Sequence, residues 1–139
     1  MVVFVTVILV IITVLIHHEV LRALSVWLEG RFRVRPRVRL IPAVVGVLGA
    51  HVVEIYLFAL GYYFLVRANG QGTLIGDIGE GLQDMAYFSF VTYASLGYGD
   101  VIPDGPLRFT AAMEVLTGLV MLAWTASFFY GFIQTTWRK

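Results

Sequence analysis

Long apolar runs, each broken at a few polar positions, dominate the hydropathy pattern of this chain. They extend from Val2 to about Leu28, from Leu40 to Val66 and from Leu107 to Trp137. A helix needs about 20 predominantly apolar residues to cross a lipid bilayer, so each run is long enough. The pattern therefore predicts an all-α membrane protein with three transmembrane helices.

A shorter apolar segment, at residues 83–94, lies between the second and third runs and is too short to cross a bilayer. The run Ser95-Leu96-Gly97-Tyr98-Gly99-Asp100 follows it directly. Glycine adopts positive φ without the steric cost of a Cβ atom. Glycines at alternate positions therefore allow the backbone to alternate in handedness.

This run resembles the selectivity filter of potassium channels, whose consensus is Thr-Val-Gly-Tyr-Gly followed by Asp. The family pattern Gly-Tyr-Gly-Asp-x-x-Pro is kept, ending at Pro103. The chain is thus similar to the two-helix pore domain of the potassium channel superfamily over roughly residues 42–135. Residues 1–39 resemble the extra N-terminal helix of small bacterial relatives. The resemblance implies a homotetramer, because one filter per chain cannot close a ring.

In that family, rings of backbone carbonyls replace the water shell of a K⁺ ion. The resemblance implies that five successive residues coordinate K⁺ here: Ser95, Leu96, Gly97, Tyr98 and Gly99. It also implies that Asp100 shapes the outer mouth, and that Tyr87, Phe88 and Thr92 support the filter from the pore helix.

Three positions depart from the family pattern. Ser95 replaces threonine, Leu96 replaces valine, and Val91 stands where some members have a glutamate that braces the outer aspartate. Gly118 falls near the glycine hinge of the inner helix in related channels. A glycine there permits bending, but small residues also allow close helix packing, and both interpretations stay open.

The predicted organisation is an N-terminal transmembrane helix with a basic loop in residues 1–39, followed by a pore domain in residues 40–139. Within the pore domain we expect an outer helix at residues 40–67, a turret loop at 68–82 and a re-entrant pore helix at 83–94. The filter follows at residues 95–100 and an inner helix at 106–137.

Composition and charge placement fit a membrane protein and set its orientation. The chain is 59% hydrophobic and 14% charged, and its net charge of +1 implies no nucleic-acid partner. Five arginines crowd the link between the first two helices: Arg31, Arg33, Arg35, Arg37 and Arg39. The positive-inside rule places this link and the C-terminus in the cytoplasm, and the N-terminus and filter mouth outside, here in a bacterial cytoplasmic membrane. The arginines also favour anionic lipid head groups, at about 1 kcal/mol each.

Six ionisable residues fall inside the predicted spans: His17, His18, Glu19, His51, Glu54 and Glu114. Such residues are costly in a membrane and are candidates for function. Helix rise places His17 and His18 at the depth of His51 and Glu54, whereas Glu114 joins them or stays separate. Three interpretations remain open: a structural polar network, a proton sensor that uses histidine titration, and a metal site of His and Glu ligands.

The function expected from these features is passive, potassium-selective conduction, without catalysis and without a cofactor other than the transported K⁺. A weakly selective cation channel is the alternative within the same class. Outside that class, the alternatives are a K⁺-translocating subunit of a transporter and a non-conducting accessory protein. Subunit stoichiometry and ion flux distinguish them.

Overall fold

The structure is a computed structural model that describes residues 1–29 and 36–137. Its elements in chain order are α1 (Val2–Glu29), α2 (Pro36–Arg67), β1 (Thr73–Gly76), α3 (Leu82–Tyr93), β2 (Val101–Asp104) and α4 (Leu107–Trp137). Helix dominates the described part of the chain, so the prediction of an all-α protein is confirmed. The pair of short strands is an addition that the sequence pattern did not indicate.

Within the described residues, three helices are long and apolar enough to cross a membrane. Their candidate spans are Val2–Leu28, Val38–Arg67 and Leu107–Gln134. Helix α3 has 12 residues, and at 1.5 Å per residue it covers about 18 Å of a hydrocarbon core about 30 Å thick. The prediction of three spans and one shorter helix is therefore confirmed.

Helix α2 begins at Pro36 rather than at residue 40. Proline suits the first helical position, because the N–H that it lacks would have no helical partner there. Arg37 and Arg39 consequently lie in the helix and not in the predicted basic loop. Nη1 of Arg39 donates a hydrogen bond of 2.7 Å to the carbonyl oxygen of Leu28, which satisfies an acceptor near the end of α1. The other predicted loop arginines lie outside the described residues: Arg31, Arg33 and Arg35.

The turret, predicted as a flexible loop at residues 68–82, contains a strand. Strand β1 pairs antiparallel with β2, in a register that places Thr73 opposite Asp104 and Gly76 opposite Val101. Gly76 has a φ of 145°, and a Cβ atom there would overlap the carbonyl oxygen of Asp100. The sheet therefore attaches the residues that follow the filter to the turret.

The extra helix α1 packs along the pore domain and runs parallel to α4. At one end, Oγ1 of Thr6 lies 2.8 Å from Oγ1 of Thr110, and the N–H of Val2 donates to Oε1 of Gln71 in the turret at 3.3 Å. A buried apolar cluster joins α1 to the other helices at this end, and it includes Leu9, Phe58, Met85, Phe88 and Leu107. The N-terminus and the turret thus lie at the same end of the helical bundle.

Candidate functional site

Residues 95–100, here called the filter segment, alternate in backbone handedness. The φ angle is 58° at Ser95, 54° at Gly97 and 79° at Gly99, while Leu96 and Tyr98 between them keep negative values. Such alternation turns successive carbonyl groups toward one side of the chain. A row of carbonyls on one side is what a filter needs to replace the water shell of an ion.

Ser95 is the member of this alternation that the glycine pattern did not reveal. Positive φ is uncommon for a residue with a Cβ atom, because the side chain crowds the backbone. The end of α3 holds the turn in place, since the N–H of Ser95 donates to the carbonyl of Thr92 at 3.0 Å and that of Leu96 to Val91 at 2.9 Å. The conformation that starts the filter segment is thus fixed by the pore helix.

Asp100, at the other end of the filter segment, is tied back to α3. The hydroxyl of Tyr87 donates to Oδ2 of Asp100 at 2.5 Å, and the N–H of Val101 donates to its Oδ1 at 3.0 Å. The hydrogen bond to this carboxylate raises the pKa of Tyr87 above its ordinary value, because it stabilises the protonated hydroxyl beside a negative charge. Tyr87 therefore braces the mouth of the filter segment.

The two other predicted supports, Phe88 and Thr92, are buried. The ring of Phe88 meets the edge of the Tyr62 ring from α2, with the ring centroids 5.0 Å apart. Phe88 and Thr92 also line an open groove of about 450 Å³ between the filter segment and the start of α4. On the filter segment itself, Leu96 and Tyr98 are 55% and 66% exposed in the single chain.

Polar side chains from four helices meet at the end of α3 that leads into the filter segment, here called the histidine cluster: His17, His51, Glu54, Tyr93 and the half-buried Thr125. Nδ1 of His17 lies 2.9 Å from Oε1 of Glu54, and Nδ1 of His51 lies 3.1 Å from Oε2. The Tyr93 hydroxyl donates to the same Oε2. The Nε2 atoms of His51 and His17 lie 3.1 Å and 3.4 Å from Oγ1 of Thr125.

The histidine cluster adjoins the filter segment through Tyr93, the last residue of α3. His17 comes from α1 and Thr125 from α4, so the cluster joins the extra helix to the pore domain. The three ligand atoms that His17, His51 and Glu54 can offer lie within 4.8 Å of one another. Two histidines and a carboxylate are a ligand set that Zn²⁺ accepts.

The sequence pattern that defines the ion channel family matches residues 50–135, which is more than half of this chain. This chain belongs to the ion channel family. Membership confirms the resemblance to the potassium channel superfamily that the filter segment indicated. Together with the three long apolar helices, it establishes an integral membrane protein of the ion channel class.

Two curated proteins show the similarity at the level of individual relatives. The inward rectifier potassium channel Kirbac3.1 of Paramagnetospirillum magnetotacticum is 38% identical over 84 residues, which are 59% of this chain and 26% of the relative. Protein LctB of Geobacillus stearothermophilus is 37% identical over 68 residues, which are 44% of this chain and 51% of the relative. The chain thus spans about half, or less, of the length of these relatives.

Two of the ionisable residues in the predicted spans, His18 and Glu19, lie in the span of α1 but outside the histidine cluster. The side chains of His18 and Glu19 are 53% and 56% exposed, and Arg22 donates to Glu19 at 2.6 Å. Consecutive residues on a helix point about 100° apart, so His17 and its two successors cannot all face the bundle. His17 takes the inward position, so His18 and Glu19 do not join it in a buried polar network, and their predicted place in such a network is wrong.

Glu114 is buried as predicted but stays separate from the histidine cluster. Its Oε2 accepts a hydrogen bond of 2.6 Å from the Tyr62 hydroxyl, and its Oε1 accepts one from the Ser89 hydroxyl. Glu114 therefore joins the outer helix α2, the pore helix α3 and the inner helix α4 through hydroxyl donors.

Gly118 lies directly against the pore helix. A Cβ atom at this position would overlap the carbonyl oxygen of Tyr93. This contact favours close packing, which was one of the two interpretations of Gly118, while its role as a hinge stays a prediction.

Sequence reasoning did not name the partners Tyr93 and Thr125 of the histidine cluster, nor Tyr62 and Ser89 beside Glu114. Each is a hydroxyl-bearing residue inside a predicted membrane helix. Buried carboxylates and imidazoles need hydrogen-bond partners, so hydroxyl groups at matching depth were the available signal.

Proposed function

We propose that this ion channel is potassium-selective and that four copies of the chain form one pore around the filter segment. The observation that carries the proposal is the alternation of positive φ at Ser95, Gly97 and Gly99. In the proposed pore, the carbonyl groups of residues 95–99 replace the water of a K⁺ ion, and Asp100 shapes the outer mouth. K⁺ is the transported species and moves passively, without catalysis.

The exposure of the filter segment supports the tetramer. Leu96 and Tyr98 are exposed in the single chain, and an open groove lies beside them. Polar backbone at membrane depth is tolerated only where protein covers it or where it lines a water-filled path. Four filter segments around one axis meet both conditions, because their carbonyls line the path and neighbouring chains cover the rest. The inward rectifier potassium channel among the relatives supports K⁺ as the transported ion.

A weakly selective cation channel is the second candidate, and the surroundings of Asp100 favour it. The pore helix has the apolar Val91 where some family members place a carboxyl brace, so among the described pore-helix side chains Tyr87 alone binds Asp100. A filter held at fewer points discriminates less sharply between ions of different size.

The proposed channel lies in a bacterial cytoplasmic membrane with its N-terminus and filter mouth outside. The hydrogen bond between Val2 and Gln71 supports a shared side for the N-terminus and turret. Arginine counting supports the cytoplasmic placement of the link between α1 and α2. Anionic lipid head groups are the proposed partners of that link.

Flux through the purified protein in liposomes tests selectivity. We expect K⁺ flux to exceed Na⁺ flux at least about tenfold, a difference of about 1.4 kcal/mol. Gly97→Ala should abolish this selective flux, because alanine strains a φ of 54°. Gly49→Ala is the matched control, since no atom lies within 4 Å of its added methyl group. Equal K⁺ and Na⁺ fluxes would overturn potassium selectivity in favour of the weakly selective channel.

A further inference from the structure

The carboxylate of Glu54 fixes the hydrogen positions in the histidine cluster. An ionised carboxylate only accepts hydrogen bonds, so the Nδ1 atoms of His17 and His51 both carry hydrogen and donate to it. The hydroxyl of Tyr93 donates to Glu54 as well. With these hydrogens in place, each neutral imidazole keeps a lone pair on Nε2.

Both Nε2 atoms face the same hydroxyl. Oγ1 of Thr125 lies 3.1 Å from Nε2 of His51 and 3.4 Å from Nε2 of His17. A threonine hydroxyl has one hydrogen to donate, so it satisfies one of the two lone pairs. The second Nε2 then faces an oxygen with no hydrogen between them. One additional proton on that nitrogen completes the row of hydrogen bonds, because the nitrogen then donates to Thr125 while Thr125 donates to the other imidazole.

The balance of charge also indicates one additional proton. With Glu54 ionised and both histidines neutral, the cluster carries one negative charge inside the membrane span. One proton bound by either imidazole makes the cluster neutral, and the two imidazoles titrate as a coupled pair. A second proton would make it positive, and an uncompensated charge in the membrane interior is costly.

We propose that His17, His51 and Glu54 together form a binding site for one proton, and that its occupancy controls conduction through Tyr93 and the filter segment. This inference rests on the proposed channel function for its second half, whereas the proton site stands on the described contacts alone.

Other charged and titratable groups lie on the helices that pack around the proton site, but their hydrogen bonds go to partners outside the histidine cluster. By helix, the charged and titratable groups there include His17 with His18, Glu19 and Arg22 on α1, His51 and Glu54 on α2, Tyr93 on α3, and Glu114 on α4. On α1, the last three form an exposed group on another face of the helix. Glu114 accepts from Tyr62 and Ser89 instead. From α4, the Trp124 ring covers His17, with centroids 5.3 Å apart.

A divalent metal fits the same ligand atoms less well. Zn²⁺ bound to two neutral histidines and one carboxylate would leave one positive charge in the span, whereas a single proton leaves none. A metal bound at the Nδ1 atoms, which face Glu54, would also need their lone pairs, and it would displace the hydrogens that now satisfy Glu54. The hydrogen-bond arrangement therefore favours the proton.

The direction of control follows from the contacts. The protonated cluster pairs its polar atoms and holds Tyr93, two residues before Ser95, in the conformation that accompanies the alternating filter segment. Loss of the proton leaves an Nε2 lone pair against Thr125 and loosens the contact among α1, α2 and α4. Conduction should therefore fall as pH rises.

The proton site can be tested without any flux. We would label the three histidines of the chain with ¹⁵N and record their NMR signals in lipid nanodiscs from about pH 8 to about pH 5, the range in which histidine changes charge. The expected result is one proton gained by His17 and His51 together, and none in Glu54→Gln. Uptake of two protons by this pair, or of none, would overturn the site. Stoichiometric zinc binding that shifts both Nδ1 signals would replace it with a metal site.

Coupling to conduction is tested by K⁺ flux from liposomes across the same pH range. We expect flux to fall at least about fivefold as pH rises, the lower end of typical coupling between two sites. Tyr93→Phe keeps the ring but removes the hydroxyl, so it should keep the NMR titration and lose most of the pH response of flux. His18→Gln, at the exposed neighbour of His17, should keep both.

The outcomes separate the two proposals. A potassium-selective flux that does not change with pH, or that rises with pH, would overturn the coupling and leave the channel function intact. A protein that binds the single proton but carries no flux in either ion would overturn the channel function while supporting the proton site.

Discussion

Glu54 and Glu114 are buried carboxylates that each join three helices but accept hydrogen bonds from different kinds of side chain. Glu54, on α2, accepts hydrogen bonds from two imidazoles and a tyrosine. Glu114, on α4, accepts from the hydroxyls of Tyr62 and Ser89. Imidazoles change charge near neutral pH, whereas tyrosine and serine hydroxyls stay protonated there.

The difference separates two uses of a buried acid. The contacts of Glu114 satisfy it with neutral donors and hold the pore helix between the outer and inner helices. The contacts of Glu54 add a charge balance that depends on proton number, and they extend to α1. We therefore propose a structural role for Glu114 and a regulatory role for Glu54.

Removal of the two carboxylates gives the largest expected difference. Glu54→Leu should lower the free energy of unfolding by about 3–5 kcal/mol, because it leaves three buried donors, on His17, His51 and Tyr93, without an acceptor. Glu114→Leu should cost about 1–3 kcal/mol, because it leaves the Tyr62 hydroxyl without its acceptor, while the Ser89 hydroxyl can still donate to the carbonyl of Ile55. Denaturant unfolding of both variants in the same detergent measures the difference, and equal losses would contradict the distinction.

The backbone contact of Tyr93 provides the next test. Gly118→Ala should destabilise the protein by about 1–3 kcal/mol, because the new methyl group must push the pore helix away from α4. Gly49→Ala, in open space on α2, should be neutral or stabilising by up to about 1 kcal/mol, because alanine has the higher helix propensity. The same unfolding assay compares the two, and a neutral Gly118→Ala would argue against close packing at Tyr93.

A matched pair of tyrosines then separates structure from regulation. Tyr62→Phe and Tyr93→Phe each remove one hydroxyl donor from one carboxylate, so each should cost about 0.5–1.5 kcal/mol. In flux assays, Tyr62→Phe should leave the response to pH unchanged, while Tyr93→Phe should abolish most of it. Loss of the pH response in both variants would show that the two carboxylates act as one system.

The smallest effect is expected where α1 meets α4 through neutral hydroxyls. Thr6→Val removes the contact with Thr110 and should cost about 0.6 kcal/mol, the average of hydrogen bonds between membrane helices. Unfolding in detergent measures this cost, and the pH response of flux should stay as in the wild type. A cost equal to that of Glu54→Leu would mean that α1 is held by its outer end and not by the histidine cluster.

The sequence predicted the helices well because membrane spans have a strong and local signal. Apolar run length identified α1, α2 and α4, and the glycine pattern identified the filter segment. The pair β1–β2 was missed, because a strand of four residues has little periodicity and its partner lies beyond the filter segment. The start of α2 was predicted too late in the chain, because the closely spaced arginines indicated a loop. The sequence does not show that Arg39 binds the carbonyl oxygen of Leu28.

The sequence predicted the depth of the candidate site residues along their helices, but not the helix face on which each residue lies. Helix rise placed His17, His51 and Glu54 together, and their contacts agree. It also placed His18 there, because depth along a helix says nothing about the face until the neighbouring helices are known. The positive φ of Ser95 was also missed. It follows from the alternation of carbonyl groups along the filter segment, which the residue type of Ser95 does not indicate.

The central claim is that this chain forms a potassium-selective pore, and a reversal potential tests it most directly. Purified protein in a planar bilayer, with K⁺ on one side and Na⁺ on the other, should give a reversal potential close to that of a membrane permeable to K⁺ alone. Gly97→Ala should lose this potential and Gly49→Ala should keep it. A wild-type reversal potential near zero would contradict the account, because it would mean that K⁺ and Na⁺ pass the filter segment equally.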